Sequence, residues 1–194
     1  MKRLFLTSAG LQPEVTEDFL KFLNKEPKDA RLCFIATASN LKESKPYVKE
    51  DMDRLEEIGF KVTELDIENE SEASLDRKLE GFDKALNKFL DRGGIYIGVS
   101  AGSMIAGLNI ESAVWKHHDV NMVGLKDLTG LKLVPFVISA HIDESNINII
   151  RKAAEKTGYP IIALSDKQAV LVEDDKQRIV GMGDKIVFNI ENKI

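Results

Sequence analysis

The sequence is poor in cysteine, tryptophan and proline, with one, one and five of them among 194 residues. The single cysteine, Cys33, excludes an intrachain disulfide framework, which is typical of a reducing compartment. Because Cys33 lies in the apolar run 32–36, we expect a buried free thiol. No apolar run reaches the length of a membrane span, and the short one at residues 4–6 ends too early for a signal peptide. We therefore expect a cytoplasmic protein.

The sequence also lacks an excess of charge of one sign. It has 27 basic and 32 acidic residues, a formal net charge of −5, and its basic residues are dispersed. This balance favours neither a nucleic acid nor an anionic membrane as a partner. A chain of this length, 43% hydrophobic and without a linker or repeat, predicts one globular domain with a full core.

Apolar runs alternate with segments of helical periodicity along the first third of the chain. The predicted strands cover residues 4–7, 31–36 and 60–67, with amphipathic helices between them. This βαβαβ order predicts an α/β fold, a doubly wound and mostly parallel sheet flanked by helices. Near the C-terminus, three alternating runs at 169–172, 178–182 and 185–190 predict an antiparallel meander at one edge of the sheet.

The stretch 94–107 indicates a strand, a sharp turn and a helix. An apolar run leads into Gly98-Val99-Ser100-Ala101-Gly102, and small and apolar residues follow at helical spacing. Glycines on both sides of Ser100 would let the backbone turn tightly and leave the hydroxyl exposed. Ser100 is therefore a candidate nucleophile. The alternatives are a simple connecting turn or a phosphate-binding turn.

Two further residues follow apolar runs in the way that Ser100 does. His141 ends the run 131–140, and Asp166 follows the run 161–164. Ligands of open α/β sheets bind outside the carboxyl ends of the strands, so these residues should meet there. A serine hydroxyl needs a base, and an imidazole oriented by a carboxylate is suited to that task. The spacing thus predicts a triad of Ser100, His141 and Asp166.

Other interpretations of these residues stay open. In an esterase of the α/β-hydrolase type, Asp119 or Asp127 would orient His141 instead of Asp166. A non-catalytic binding domain could also retain such a turn. The segment His117-His118-Asp119 suggests a metal site, but no cluster completes a ligand set, so we expect no metal and no cofactor.

Three segments resemble the serine peptidases of the peptidase E (aspartyl dipeptidase) and cyanophycinase group, which have a class I glutamine amidotransferase-like fold. They are residues 96–102, 130–136 continuing to His141, and 164–170. The resemblance implies a single such domain over residues 1–194 that cleaves a small peptide through an acyl-enzyme. It assigns Ser100 as nucleophile, His141 as general base and then acid, Asp166 as the third member, and the Ala101 N–H as an oxyanion donor. It leaves a homo-oligomer open.

The chain departs from this family pattern before the turn. Family members usually have a further strand that ends in a Gly-Gly-Gly-Asn type turn and supplies the second oxyanion donor, whereas residues 80–86 contain no such turn. Either that strand is absent, or residues are missing between Asp83 and Lys84. The apolar spacing over 71–92 predicts two short helices that meet near Gly81. A lost donor typically costs about 3 to 4 kcal/mol of transition-state stabilisation.

The segment after the histidine departs from the pattern as well. Aspartyl dipeptidases have an arginine there, and residues 142–146 offer none. The resemblance therefore does not imply specificity for an N-terminal aspartate.

Overall fold

The computed structural model of the protein describes residues 2–39, 46–65, 82–116 and 124–190. Over these ranges the strands and α-helices follow one another in the order β1 Arg3–Thr7, α1 Pro13–Leu23, β2 Arg31–Ile35, α2 Pro46–Ile58, β3 Lys61–Leu65, α3 Phe82–Asp91, β4 Ile95–Val99, α4 Ala101–Ile105, α5 Ser112–Trp115, β5 Val137–Ser139, α6 Ile147–Thr157, β6 Ile161–Ala163, β7 Gln168–Glu173, β8 Lys176–Gly181 and β9 Ile186–Phe188. In these ranges no helix is both long and apolar enough to cross a membrane.

Strand β1 lies inside a four-stranded sheet with the order β4-β1-β7-β8. It pairs in parallel with β4, with Thr7 opposite Val99, and antiparallel with β7. The Ser100 N–H continues this ladder by donating to the Thr7 carbonyl at 3.1 Å. Ser8 and Ser100 therefore leave the sheet side by side at the same edge.

The core lies on both faces of β1, because successive side chains of a strand point to opposite sides. Leu4 and Leu6 join a cluster that includes α3, whereas Phe5 joins a second cluster with α1. The rings of Phe5 and Phe19 meet edge to face at 5.0 Å between centroids. The predicted α/β class, with helices on both faces of a mixed sheet, is confirmed.

The C-terminal strands are antiparallel as predicted, but they do not form one meander. Strands β7 and β8 pair with each other, whereas β9 pairs with β6, which is itself parallel to β5. The Gln168 side-chain amide donates to the carbonyls of Gly183 and Asp184, at 3.3 and 3.1 Å. These bonds hold the turn that follows β8. Beyond this turn the chain leaves β8, and β9 pairs with β6.

Cys33 is exposed, so the expectation of a buried thiol is wrong. Strands β2 and β3 form a separate two-stranded parallel sheet. Leu32 and Phe34 pack on the cluster that contains Phe5, and the alternate residues Cys33 and Ile35 face the other way. The apolar run alone does not reveal that only one face of β2 is covered.

Helix α3 runs through Asp83 and Lys84. It is the second of the two helices predicted over 71–92. The first, at 71–80, lies outside the described residues.

The turn between β4 and α4 depends on one of its two glycines. A Cβ on Gly98 would lie 2.8 Å from the Gly102 carbonyl oxygen and 2.9 Å from the Ser103 Cα, so only glycine lets the helix pack against the strand. A Cβ on Gly102 would meet nothing closer than the Tyr96 hydroxyl, at 3.7 Å. That hydroxyl donates to the Gly102 carbonyl at 2.6 Å. Ser100 has a φ of 48° and a ψ of −109°, so the nucleophile candidate carries the backbone strain itself.

We expect the two glycines of this turn to respond differently to alanine. Gly98→Ala should lower the free energy of unfolding by about 1 to 3 kcal/mol, because the added methyl meets backbone atoms that cannot move aside. Gly102→Ala should be tolerated, since its methyl would make only an ordinary van der Waals contact, 3.7 Å from the Tyr96 hydroxyl. Urea unfolding of both variants measures the difference, and equal losses would contradict this account of the turn.

Candidate active site

Three loops at strand ends bring a hydroxyl, an imidazole and a carboxylate together. Ser100 follows β4, His141 lies two residues after β5, and Asp166 lies three residues after β6. The distance from Ser100 Oγ to His141 Nε2 is 2.8 Å. On the other side of the ring, His141 Nδ1 lies 2.6 Å from Asp166 Oδ1. The structure therefore brings the three sequence-predicted residues into one hydrogen-bonded chain.

The carboxylate determines which ring nitrogen carries the proton. An ionised Asp166 can only accept, so His141 Nδ1 must donate to it and Nε2 is left to accept from Ser100. The hydrogen bond from His141 lowers the pKa of Asp166 below its ordinary value, and the Ser8 hydroxyl and the charge of Lys116 act in the same direction. Asp166 is therefore ionised at neutral pH, as an orienting carboxylate must be.

His141 adopts a left-handed backbone conformation, with a φ of 56°. Its N–H donates to Ser8 Oγ at 2.7 Å, and its carbonyl accepts from Asn146 Nδ2 at 3.0 Å. The Lys116 ammonium group donates to the carbonyl of Ala140 and, at 3.5 Å, to that of His141. Such a conformation costs about 1 to 3 kcal/mol and persists where neighbours fix it, as these do.

The reacting groups face solvent while the groups that hold them are buried. The side chains of His141 and Asp166 are 45% and 60% exposed. By contrast, Ser8, Lys116 and Asn146 are exposed by 0%, 8% and 6%. A substrate can thus approach the triad from solvent without a rearrangement of its supports.

Ala101 is the first residue of α4 and follows Ser100 directly. The N–H groups of a helix's first turn have no acceptor within the helix. The Ala101 N–H, which the family resemblance assigns as an oxyanion donor, therefore has no acceptor within α4.

Of the two alternative orienting acids, Asp127 lies within the described residues, and it does not bond to the imidazole. The Asp127 carboxylate accepts from the Thr129 N–H at 2.9 Å, in a loop. The carboxylate at His141 Nδ1 is that of Asp166. Asp119, with His117 and His118, lies outside the described residues. Within the described ranges, no group of three or more His, Cys, Asp or Glu side chains could hold a metal ion.

Sequence reasoning missed the residues that hold the histidine. Ser8 could have been found, because it follows an apolar strand in the same way as the three triad members. Lys116 has no such signal, since it reaches His141 from 25 residues away in the sequence. Asn146 lies only five residues after His141, at the N-cap of α6, where asparagine is common for reasons of helix capping alone.

Comparisons with known proteins identify the family to which the chain belongs. The model of peptidase family S51 matches residues 4–84 and 78–180. An uncharacterized peptidase of Pasteurella multocida is 28% identical over 209 residues, which cover 93% of this chain and 98% of the relative. An uncharacterized peptidase of Listeria monocytogenes is 30% identical over 200 residues, covering 89% and 95%.

A solved structure extends the likeness to the fold. The crystal structure of a candidate peptidase E protein from Listeria monocytogenes EGD-e matches with a TM-score of 0.77 at 27% identity, over 94% of this chain and 100% of that one. The resemblance drawn from the three sequence segments is thereby confirmed. The chain belongs to peptidase family S51 and is a peptidase.

Proposed function

We propose that this peptidase is of the serine type and cleaves a small peptide through an acyl-enzyme on Ser100. One observation carries the proposal, namely the continuous hydrogen-bonded chain from Ser100 Oγ through the His141 ring to Asp166. A hydroxyl becomes a competent nucleophile when a base accepts its proton. His141 Nε2 lies at the distance that this transfer requires.

The reaction follows from the proton positions. His141 Nε2 takes the Ser100 proton as Oγ attacks the peptide carbonyl, and the Ala101 N–H donates to the oxygen that becomes negative. The imidazolium, stabilised by Asp166, then gives its proton to the leaving amine as the C–N bond breaks. A water molecule, deprotonated by the same imidazole, hydrolyses the ester and returns Ser100 to its starting state.

A weakly active or non-catalytic member of the family is a second candidate function. The observation in its favour is the lack of a Gly-Gly-Gly-Asn type turn before β4 in the sequence. Ala101 would then be the one assigned donor, and loss of a second donor typically lowers kcat by about 100- to 1,000-fold. Reaction with a small phosphylating reagent separates the two candidates, because it reports the nucleophile directly.

We propose the substrate only as a chemical class. We assign a dipeptide or another small peptide, and we carry over from the resemblance no specificity for an N-terminal aspartate. In the segment after His141, the Asp143 carboxylate accepts from Ser145 and from the Asn146 N–H, which closes a turn. We also place the protein in the cytoplasm, on the basis of its cysteine usage.

A fluorophosphonate probe should label Ser100 stoichiometrically, and Ser100→Ala should abolish both labelling and hydrolysis of a dipeptide library. The matched control is Ser145→Ala, which removes an exposed hydroxyl that bonds to Asp143. Mass spectrometry of the labelled peptide identifies the modified residue. Hydrolysis that survives in Ser100→Ala would refute the nucleophile assignment.

Asp166→Asn should lower kcat by about 100- to 10,000-fold, because an amide no longer enforces the correct imidazole tautomer. Asp127→Asn should leave kcat close to that of the wild type, because Asp127 bonds within its own loop. Steady-state kinetics on the two purified variants provide the comparison. A large loss in Asp127→Asn with none in Asp166→Asn would instead favour the esterase arrangement.

A further inference from the structure

Ser8 lies directly after β1, and it is fully buried beneath the triad. Its hydroxyl contacts two triad members at once. Ser8 Oγ accepts from the backbone N–H of His141 at 2.7 Å and donates to Asp166 Oδ1 at 2.9 Å. The Ser8 N–H donates to the Gln168 carbonyl at 3.3 Å, so the backbone that carries this hydroxyl is itself held.

The proton positions of these bonds are fixed by chemistry. The N–H of His141 can only donate, and the Asp166 carboxylate can only accept. The single hydroxyl proton of Ser8 must therefore point at Asp166, while an oxygen lone pair receives the N–H. No alternative orientation satisfies both contacts, so the hydroxyl links backbone and carboxylate in one direction.

The Ser8 hydroxyl restrains the Asp166 carboxylate. Asp166 Oδ1 accepts from both Ser8 Oγ and His141 Nδ1, so the same oxygen that orients the imidazole is anchored from below. The Asp166 side chain is 60% exposed, and water competes for its lone pairs on the open side. A buried donor keeps Oδ1 facing Nδ1 in spite of that competition.

The link also fixes the base relative to the nucleophile. Ser8 and Ser100 leave paired strands side by side, and the N–H of Ser100 bonds to β1 at Thr7. Because the N–H of His141 bonds to the next residue, Ser8, one rigid strand sets the positions of both reacting side chains. The left-handed conformation of His141 has one of its restraints there.

We propose that Ser8 is a positioning residue of the catalytic machinery, which holds the Asp166 carboxylate and the His141 backbone in the geometry that activates Ser100. This inference rests on the proposed function. It assigns Ser8 no contact with substrate; Ser8 acts through its two partners.

The test compares Ser8→Ala with a matched variant, Ser112→Ala. Ser112 is equally buried, and its Oγ donates at 2.5 Å to the carbonyl of Ile138 in β5, the strand that leads to His141. Each variant loses one buried hydroxyl, which makes two hydrogen bonds in Ser8 and one in Ser112, but only the bonds of Ser8 reach the triad. Ser8→Cys fills the same space with a weak donor and acceptor, and it serves if Ser8→Ala does not fold.

Urea unfolding measures the stability of each variant. Two other readouts report the positioning of the triad. The rate of fluorophosphonate labelling should fall by about 10- to 100-fold in Ser8→Ala, as for a small misplacement of reacting groups. The low-field proton resonance of His141 Nδ1 should weaken or disappear, because its acceptor is no longer anchored. Ser112→Ala should keep both the rate and the resonance. Ser8→Cys should resemble Ser8→Ala.

The inference is overturned if Ser8→Ala, or Ser8→Cys in its place, keeps the labelling rate and the resonance while losing only stability. Ser8 would then be a structural serine like Ser112. If the wild type itself does not react with the probe, the proposed function fails. The resonance then decides the role of Ser8, since its loss in Ser8→Ala supports positioning and its retention refutes it.

Discussion

The pairing of β1 with β4 and β7 is the constraint on which the rest of the molecule depends. Its parallel register with β4 places Thr7 opposite Val99, and its antiparallel register with β7 places Thr7 opposite Ala169. Loops that carry the Ser100 hydroxyl, the buried Ser8 and the Asp166 carboxylate therefore emerge at one end of the same strand. Both faces of β1 are buried, so this arrangement is anchored in the centre of the core.

The site combines exposed chemistry with buried support. The side chains of His141 and Asp166 are about half exposed. The residues that hydrogen-bond to the His141 backbone and to the Asp166 carboxylate are buried. Water and a peptide can both reach these exposed groups, which suits a hydrolase. Two residues of the site, Ser100 and His141, have strained backbones with a positive φ. These conformations persist because several hydrogen bonds hold each residue.

The fold class and the three triad residues could be predicted from sequence because they depend on local signals. Apolar runs mark the buried strands, and the chemistry of Ser100, His141 and Asp166 at their ends selects a triad from many polar loop residues. Strand ends meet for a topological reason that needs no knowledge of packing.

The rest depends on tertiary contacts that have no periodic signature. The pairing of β9 with β6 depends on a glutamine amide that holds a turn, and Lys116 reaches His141 from a loop about 25 residues away. Ser8 follows an apolar strand as the triad members do, but the sequence does not reveal its two hydrogen-bond partners. The apolar run of β2 predicts the strand, but it does not show which face of the strand is exposed.

The exposed face of β2 gives the protein an experimental property of its own. Cys33 is the one thiol of the chain, and it lies on a regular strand, outside the loops that form the triad. A maleimide fluorophore or a nitroxide can therefore be attached at a single defined position without any substitution. Changes in the surroundings of this two-stranded sheet can be followed from that position in the unaltered chain.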